Sequence, residues 1–226
     1  MSQDAETIRI YNDKAGDYAA LADASKPMPL LERFLDTLPA GGHVLDLGCG
    51  PGRAAARMAA RGFQVTAMDA SAEMIARAAR HPGVTPWQAS FEELQSQAEY
   101  DAVWANFSLL HAPRAQMPTL LRAIHTALRP AGQFALALKL GEGETRDSLG
   151  RFYSYYQEDE LRALLTAAGF SPGKASTGSD KGLDGSTSDW IALSAAKISS
   201  VKTAPVTPDP MDPSAAKTSA AVADPQ

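Results

Sequence analysis

The fold of this chain is decided by residues 43–52, which read His43-Val44-Leu45-Asp46-Leu47-Gly48-Cys49-Gly50-Pro51-Gly52. An apolar run of strand-forming residues ends here in alternating glycines, and a helical pattern begins directly afterwards at Arg53. The order of strand, glycine-rich turn and helix is typical of nucleotide-binding α/β folds. Glycines suit such a turn because its backbone adopts torsions closed to other residues, and because a ligand approaches more closely than a Cβ atom allows.

The residues around the turn disfavour ligands that carry phosphate. A dinucleotide fingerprint has a third glycine three residues after the second, and that position holds Arg53. No Gly-Lys-Ser/Thr triplet of a P-loop follows the turn either. Asp46, two residues before the first glycine, would repel a phosphate group. A cationic nucleoside without phosphate, such as S-adenosylmethionine, therefore suits this turn better.

The run from Asp46 to Gly52 resembles the first motif of the class I S-adenosylmethionine-dependent methyltransferases, and the resemblance extends over roughly residues 8–196. It implies an α/β fold with a Rossmann-like, doubly wound sheet of seven strands, mostly parallel with the last strand antiparallel, and helices on both faces. The methyltransferase domain would occupy residues 41–198. Asp46 and the turn residues Gly48, Cys49 and Gly50 would contact the cofactor.

The sequence after the turn predicts further cofactor contacts. Asp69 ends the next predicted strand about twenty residues beyond the first glycine, where nucleotide-binding folds place an acid that accepts the ribose hydroxyls. Asp69 could instead cap the following helix, a role that Ser71 could also fill. We expect the adjacent Ala70 and Met74 to lie beside the adenosine.

The loop after the third predicted strand contains Ser90 and Phe91. The resemblance implies that the first of these side chains hydrogen-bonds the adenine amino group and that the second packs on the ring. The family more often has aspartate at the first position, so Ser90 departs from its pattern. Ser90 could alternatively form a capping box with Glu93.

The fourth predicted strand ends at Asn106 and Phe107, with His111 in the same loop. Loops at the carboxyl ends of strands 1 and 4 flank the switch point of a doubly wound sheet, so Asn106 and Phe107 should face the cofactor's methionine end. His111 is the candidate catalytic base or acceptor ligand, or it closes the loop by hydrogen bonds. The family's nucleic-acid amino methyltransferases have Asp/Asn-Pro-Pro-Tyr/Phe after strand 4, which is absent here and favours a small-molecule acceptor.

Two segments are predicted to cover the site. Residues 1–40 would form a helical lid with Tyr11 over the cofactor and Tyr18 beside the acceptor, or the tyrosines would simply anchor a helix over residues 5–22. Residues 140–157 are rich in charge and aromatic residues and would form a substrate-lid insertion. There, Arg151 would bind an acceptor anion or pair with the loop's own acids, and Tyr155 would be pocket wall or core.

The length and composition of the chain limit its expected number of domains, its partners and its cellular location. With 226 residues and a net charge of −5, the chain should form one main domain without general attraction to nucleic acid or anionic membranes. No apolar run approaches the roughly 18 residues of a transmembrane helix, no signal peptide is visible, and Cys49 is the only cysteine. We expect a cytoplasmic monomer or homodimer without a metal ion. The Pro/Ala-rich residues 199–226 should be disordered.

Together these features predict transfer of a methyl group by in-line displacement to a small-molecule acceptor. Such a reaction needs a general base only if the acceptor's nucleophile is protonated. Two other functions are open from the sequence. One is a nicotinamide-dependent oxidoreductase on a similar sheet, which Arg53 disfavours. The other is a non-catalytic module that binds S-adenosylmethionine or a metabolite.

Overall fold

The computed structural model describes residues 4–21 and 27–198, so the predicted tail at 199–226 and parts of the predicted N-terminal lid lie outside the described residues. The helices within this part of the chain are α1 (Ala5–Asp13), α2 (Ala15–Leu21), α3 (Pro29–Leu35), α4 (Arg53–Ala60), α5 (Ala72–Ala78), α6 (Met117–Ala127) and α7 (Glu158–Ala167). The strands are β1 (His43–Leu47), β2 (Gln64–Asp69), β3 (Val84–Gln88), β4 (Tyr100–Asn106), β5 (Leu128–Lys139), β6 (Glu144–Arg146), β7 (Phe152–Ser154), β8 (Phe170–Lys181) and β9 (Thr187–Lys197).

The main sheet has seven strands in the order β3-β2-β1-β4-β5-β9-β8. Strands β3, β2, β1, β4 and β5 pair in parallel, whereas β9 is antiparallel to both β5 and β8. The predicted Rossmann-like, mostly parallel sheet with an antiparallel last strand is therefore confirmed. Because the strand order reverses between β1 and β4, the carboxyl ends of these two strands border the crevice where such sheets bind ligands.

Alternate residues of the strands pack on opposite sides of the sheet. Leu45 of β1 belongs to a buried cluster that includes Leu121 of α6 and Leu161 of α7, whereas Val44 belongs to a second cluster with Phe34 of α3 and Met58 of α4. Full burial of one such side chain contributes roughly 1.5–3 kcal/mol. Helices thus cover both faces, as predicted, and hold the strand ends rigidly in place.

The N-terminal segment differs from the predicted helix over residues 5–22. Helix α1 ends at Asp13, and Lys14 leaves the helical conformation with φ −106° and ψ 16° before α2 begins. The break lets α1 contact the inserted hairpin, where the amide of Phe152 donates to the hydroxyl of Thr7 at 2.8 Å. That hairpin pairs β6 with β7 inside the predicted lid insertion. Among residues 4–21 and 27–198, no helix has both the length and the apolar character needed to span a bilayer.

Candidate functional site

A cavity of about 170 Å³ opens at the carboxyl ends of β1, β2 and β4, beneath α1 and α2. Most of the residues that the sequence predicts for the site line it together. They are Tyr11, Tyr18, Asp46, Gly48, Cys49, Gly50, Asp69, Ala70, Met74, Phe91, Asn106, Phe107 and His111. The fold thus brings the loops that follow three different strands into a single pocket.

The glycine turn forms the floor of this first cavity. Gly48 has φ +75°, and a Cβ atom there would lie 2.3 Å from Cβ of Ser108, so no larger residue fits. The amides of Gly48 and Cys49 both donate to the carbonyl of Met68, at 2.8 and 2.9 Å. Strand β2 therefore fixes the turn in one conformation, with backbone instead of side chain facing the cavity.

Asp69 sits at the end of β2 with both oxygens held by backbone amides. Gly50 N donates to Oδ2 and Ser71 N donates to Oδ1, each at 2.9 Å. Burial raises the pKa of this carboxyl above its ordinary value. The alternative role of helix cap belongs to Ser71, whose hydroxyl accepts from the amide of Met74. Asp69 is consequently fixed in orientation and retains lone pairs for hydroxyl donors in the cavity.

Asp46 is only 3% exposed, and its Oδ2 atom has no hydrogen-bond partner within the described residues. Burial raises the pKa of Asp46 to about 7, and the negative charge of Asp69 adds to this effect. A buried carboxylate without a partner is costly, and a cationic ligand group in the cavity would offset that cost. The site thus fits a positively charged ligand, as the sequence around the turn predicts.

His111 lies in a short helical turn, Leu109–His111, and both ring nitrogens are engaged by protein atoms. Nδ1 lies 2.6 Å from the carbonyl of Phe152 and must donate to it, so in the neutral ring Nε2 accepts from the hydroxyl of Tyr11 at 2.8 Å. Burial lowers the pKa of His111 to about 4, which favours this neutral form. Both contacts match the alternative in which His111 closes the loop by hydrogen bonds, and its role as a base or acceptor ligand stays a prediction, since His111 also lines the first cavity.

Arg151 is 2% exposed, and its guanidinium group pairs with an acidic side chain of its own loop. Nε and Nη2 donate to Asp147 Oδ2 at 2.9 and 2.6 Å, and Nη1 donates to the hydroxyl of Tyr11 at 3.2 Å. Of the two roles open from the sequence, the structure shows the pairing of Arg151 with an acid of its own loop, which compensates its charge without an acceptor anion. Asp147, Arg151, Tyr11 and His111 instead form one chain of hydrogen bonds above the first cavity.

A second cavity of about 300 Å³ adjoins the first and shares Tyr11, Tyr18, Phe107 and His111 with it. Strand β5, the β6–β7 hairpin and the ends of β8 and β9 with their turn supply most of the remaining wall, together with Arg53 and Leu110. Tyr155, predicted to bind substrate, borders neither of these two cavities and packs against the backbone of Gly141. The structure therefore favours its alternative role in packing.

Ser90 also departs from its predicted role in cofactor binding. Its hydroxyl and its amide donate to the carboxylate of Glu93, at 2.8 and 2.7 Å, which is the capping box that the sequence left as the alternative. It lines neither cavity, whereas the neighbouring Phe91 lines the first. Within the described residues, no group of three acidic, histidine or cysteine side chains is arranged to hold a metal ion.

Sequence reasoning missed several residues that line the first cavity, among them Thr7, Ile8, Ser71, Trp104 and Ser108. Ser71 could have been found from its helix-capping position beside Asp69. Nothing local marks Thr7 or Ile8, because α1 reaches the cavity through tertiary packing alone. Trp104 and Ser108, in contrast, adjoin the glycine-turn unit, since Trp104 pairs with Asp46 across the sheet and Ser108 packs against Gly48.

Comparison with known proteins places this geometry among related enzymes. Residues 44–132 match a family described as "Methyltransferase domain". A crystal structure of 1,6-didemethyltoxoflavin-N1-methyltransferase from Burkholderia thailandensis, with bound 1,6-didemethyltoxoflavin and S-adenosylhomocysteine, superimposes with a TM-score of 0.72. The two sequences are 26% identical, and the match covers 86% of this chain and 88% of that one.

Curated relatives include methyltransferases of different acceptors. The 27-O-demethylrifamycin SV methyltransferase of Amycolatopsis mediterranei is 30% identical over 65% of this chain and 61% of its own length. A ubiquinone/menaquinone biosynthesis C-methyltransferase of Rubrivivax gelatinosus is 41% identical over 42% of this chain and 38% of its own length. The chain spans less than half the length of several curated relatives that it matches, from 37% to 46%.

Proposed function

The chain belongs to the class I S-adenosylmethionine-dependent methyltransferases, and from this premise we propose that it transfers a methyl group to a small-molecule acceptor. The observation that carries the proposal is the unpartnered oxygen of Asp46 beneath the glycine turn. It suits a phosphate-free, cationic cofactor and would oppose a pyrophosphate. The binding of S-adenosylhomocysteine by the similar Burkholderia enzyme supports the same choice of cofactor.

The residues of the first cavity would each hold a different part of the cofactor. Asp69 would accept the ribose hydroxyls, while Phe91 and Met74 would pack against the adenine ring. Asp46 would compensate positive charge at the methionine end. Bound S-adenosylmethionine supplies a methyl group on a sulfonium, which is already a good leaving group. The protein therefore has mainly to align the reactants and to exclude water.

We propose that residues 1–40 and 140–157 form the lids that exclude water. Tyr11 and Tyr18 line both cavities from α1 and α2, with ring centroids 5.7 Å apart in an edge contact. The β6–β7 hairpin is tied to α1 through Thr7 and Phe152. These contacts would hold the lids together over the site.

An acceptor proton would meet the hydroxyl of Tyr11 before it could reach His111. The Tyr11 oxygen donates to His111 and accepts from Arg151, and it also hydrogen-bonds the hydroxyl of Tyr153, so a donor on the acceptor would have to displace one of these partners. With a pKa of about 4, His111 would hold a proton at pH 7 only at a cost of about 4 kcal/mol. We therefore propose that His111 positions Tyr11, and that the acceptor's nucleophile needs little help from a base.

The proposal also includes the cellular location, the oligomeric state and the acceptor class that the sequence predicts. The single cysteine favours a reducing compartment, so we propose the cytoplasm, with the protein as a monomer or homodimer. The net charge of −5 and the sequence Asn106-Phe107-Ser108-Leu109 after β4 favour a small molecule over nucleic acid as acceptor. This setting is supported by the sequence alone.

Titration calorimetry tests the cofactor, with S-adenosylmethionine and NADH as the two ligands. We expect binding of S-adenosylmethionine alone, and a 10- to 100-fold weaker affinity, roughly 1–3 kcal/mol, in Asp69→Asn because charge-assisted hydrogen bonds are lost. Asp159→Asn, on the first turn of α7 outside both cavities, is the matched control. Binding of NADH instead would favour the oxidoreductase. Binding without release of S-adenosylhomocysteine across a broad acceptor panel would favour the non-catalytic module.

A further inference from the structure

The second cavity contains a cation, Lys139, that forms no direct ion pair within the described residues. Lys139 lies at the carboxyl end of β5, and its Nζ atom sits 4.0 Å from the centre of the Tyr153 ring. None of the ion pairs formed within residues 4–21 and 27–198 involves Lys139. Burial lowers the pKa of its half-buried ammonium group and outweighs the opposing effect of the carboxylates of Asp184 and Asp147, neither of which pairs with it directly.

Four other charged side chains line this cavity, and Arg53 among them already has an interaction partner in the protein. Arg151 is neutralised by Asp147, and its remaining nitrogen is bonded to Tyr11. Lys181 is exposed, so water screens its charge. Asp180 is the acidic side chain that lines this cavity, and one of its carboxylate oxygens accepts from the indole nitrogen of Trp190 at 2.8 Å.

Aromatic side chains form much of the wall around Lys139. Phe107 and Trp190 meet edge to face, with ring centroids 6.2 Å apart and an interplanar angle of 86°. Tyr153 supplies a further ring from the hairpin. Aromatic faces and edges bind a planar ring better than an aliphatic chain of equal size, because their quadrupoles favour stacked and edge-to-face geometry.

We propose that the second cavity binds a planar aromatic acceptor that carries an anionic oxygen, and that Lys139 binds this oxygen while Phe107, Tyr153 and Trp190 hold the ring. The assignment rests on the proposed function, since it takes this cavity as the acceptor site. An anion at this position would form a charge-assisted hydrogen bond with the ammonium group. It would also offset the cost of half-burying Lys139.

Fluorine NMR titration with 4-fluorobenzoate and 4-fluorobenzamide tests the proposal, because the two probes have similar shapes and differ in charge. In the wild-type protein we expect benzoate to bind about tenfold more tightly than benzamide. Lys139→Met should abolish this difference by weakening benzoate alone, and Lys139→Arg should retain most of it. Cyclohexanecarboxylate, an aliphatic anion of similar size, should compete with 4-fluorobenzoate about tenfold less well than benzoate does.

Lys174→Met, an exposed change on β8 outside both cavities, is the matched control and should behave as wild type. Calorimetry with S-adenosylmethionine on the same proteins separates the two proposals. Unchanged cofactor binding together with equal affinities for benzoate and benzamide in the wild-type protein would overturn the acceptor assignment alone. Failure of the wild-type protein to bind S-adenosylmethionine would overturn the proposed function. If Lys139→Met is not folded by circular dichroism, Lys139→Gln with the same titration decides the role of the charge.

Discussion

Half of the residues that line the first cavity come from one continuous unit, residues 46–74, whereas the polar network beside the second joins segments that are far apart. Asp46, the glycine turn and Asp69 belong to one strand-turn-helix-strand unit. In contrast, Tyr11 bonds to His111 across 100 residues and to Arg151 across 140. A local turn can bind the cofactor in the same way in many proteins, while the acceptor side depends on the lids that each chain supplies.

The largest loss of stability should follow a substitution in the strand-turn-helix-strand unit that contains the glycine turn. Gly48→Ala would place a Cβ atom 2.3 Å from Ser108 at a positive φ, so we expect a loss of at least about 3 kcal/mol in the free energy of unfolding, with loss of cofactor binding. Gly41→Ala is a matched control, because its φ is +72° but no atom lies within 4 Å of the added carbon. It should cost only about 1–2 kcal/mol. Equal losses in urea denaturation would show that close packing does not explain the turn.

The hydrogen-bond network of His111, Tyr11, Arg151 and Asp147 should make the stability of the protein depend on pH in the acid range. The pKa of His111 is lowered from 6.5 to about 4, so the unfolded chain binds a proton in this interval that the folded protein does not. Stability should therefore be lost as the pH falls from 6.5 to 4, by at most about 3 kcal/mol. Denaturant unfolding at a series of pH values should show a smaller loss in His111→Gln. An unchanged acid slope in that variant would mean that His111 is not held neutral.

Asp46 should change the pH dependence of stability in the direction opposite to His111. Its pKa is raised from 3.8 to about 7, so the folded protein binds the extra proton and stability is lost as the pH rises through this interval. Above pH 7, Asp46→Asn should make the ligand-free protein more stable by about 1–2 kcal/mol while weakening the binding of S-adenosylmethionine. Thermal unfolding with and without the cofactor measures both effects. A variant that is less stable at alkaline pH would contradict the account of Asp46 as an uncompensated charge.

The smallest expected effect is on cofactor affinity when Ser90, beside the first cavity, is replaced. Ser90 bonds to Glu93 and faces neither cavity, so Ser90→Ala should change the dissociation constant of S-adenosylmethionine by less than about twofold. A slight fall in melting temperature would report the lost cap. Calorimetry decides between this result and the much weaker binding expected if the hydroxyl contacts the adenine.

The sequence predicted the sheet and the glycine-turn side of the site because both follow from local patterns. Short apolar runs mark the central strands, and the strand-turn-helix order at 43–52 fixes where Gly48 and Asp46 lie. The spacing from Gly48 then predicts the position of Asp69, which lines the same cavity. None of these inferences requires knowledge of which distant segments touch.

The remaining parts of the site depend on tertiary contacts that no local pattern encodes. The break of the N-terminal helix at Lys14 accompanies its docking on the hairpin, and only the folded chain brings Thr7 to Phe152. The pairing of Arg151 with Asp147 was open from the sequence because both lie in one charged loop. Ser90 is the opposite case, because its hydrogen bonds are those of a local capping box with Glu93 and not those of the adenine contact that the family resemblance implies.

Phe107 borders both cavities and has a φ of 54°, a conformation that costs a residue with a Cβ atom free energy. Replacement by glycine would relax the main chain and remove the ring that partitions the two chambers. One substitution would then join the two cavities, and relief of the left-handed backbone, about 1–2 kcal/mol, would offset part of the packing energy lost with the ring. Position 107 is accordingly the natural starting point for laboratory evolution toward bulkier substrates.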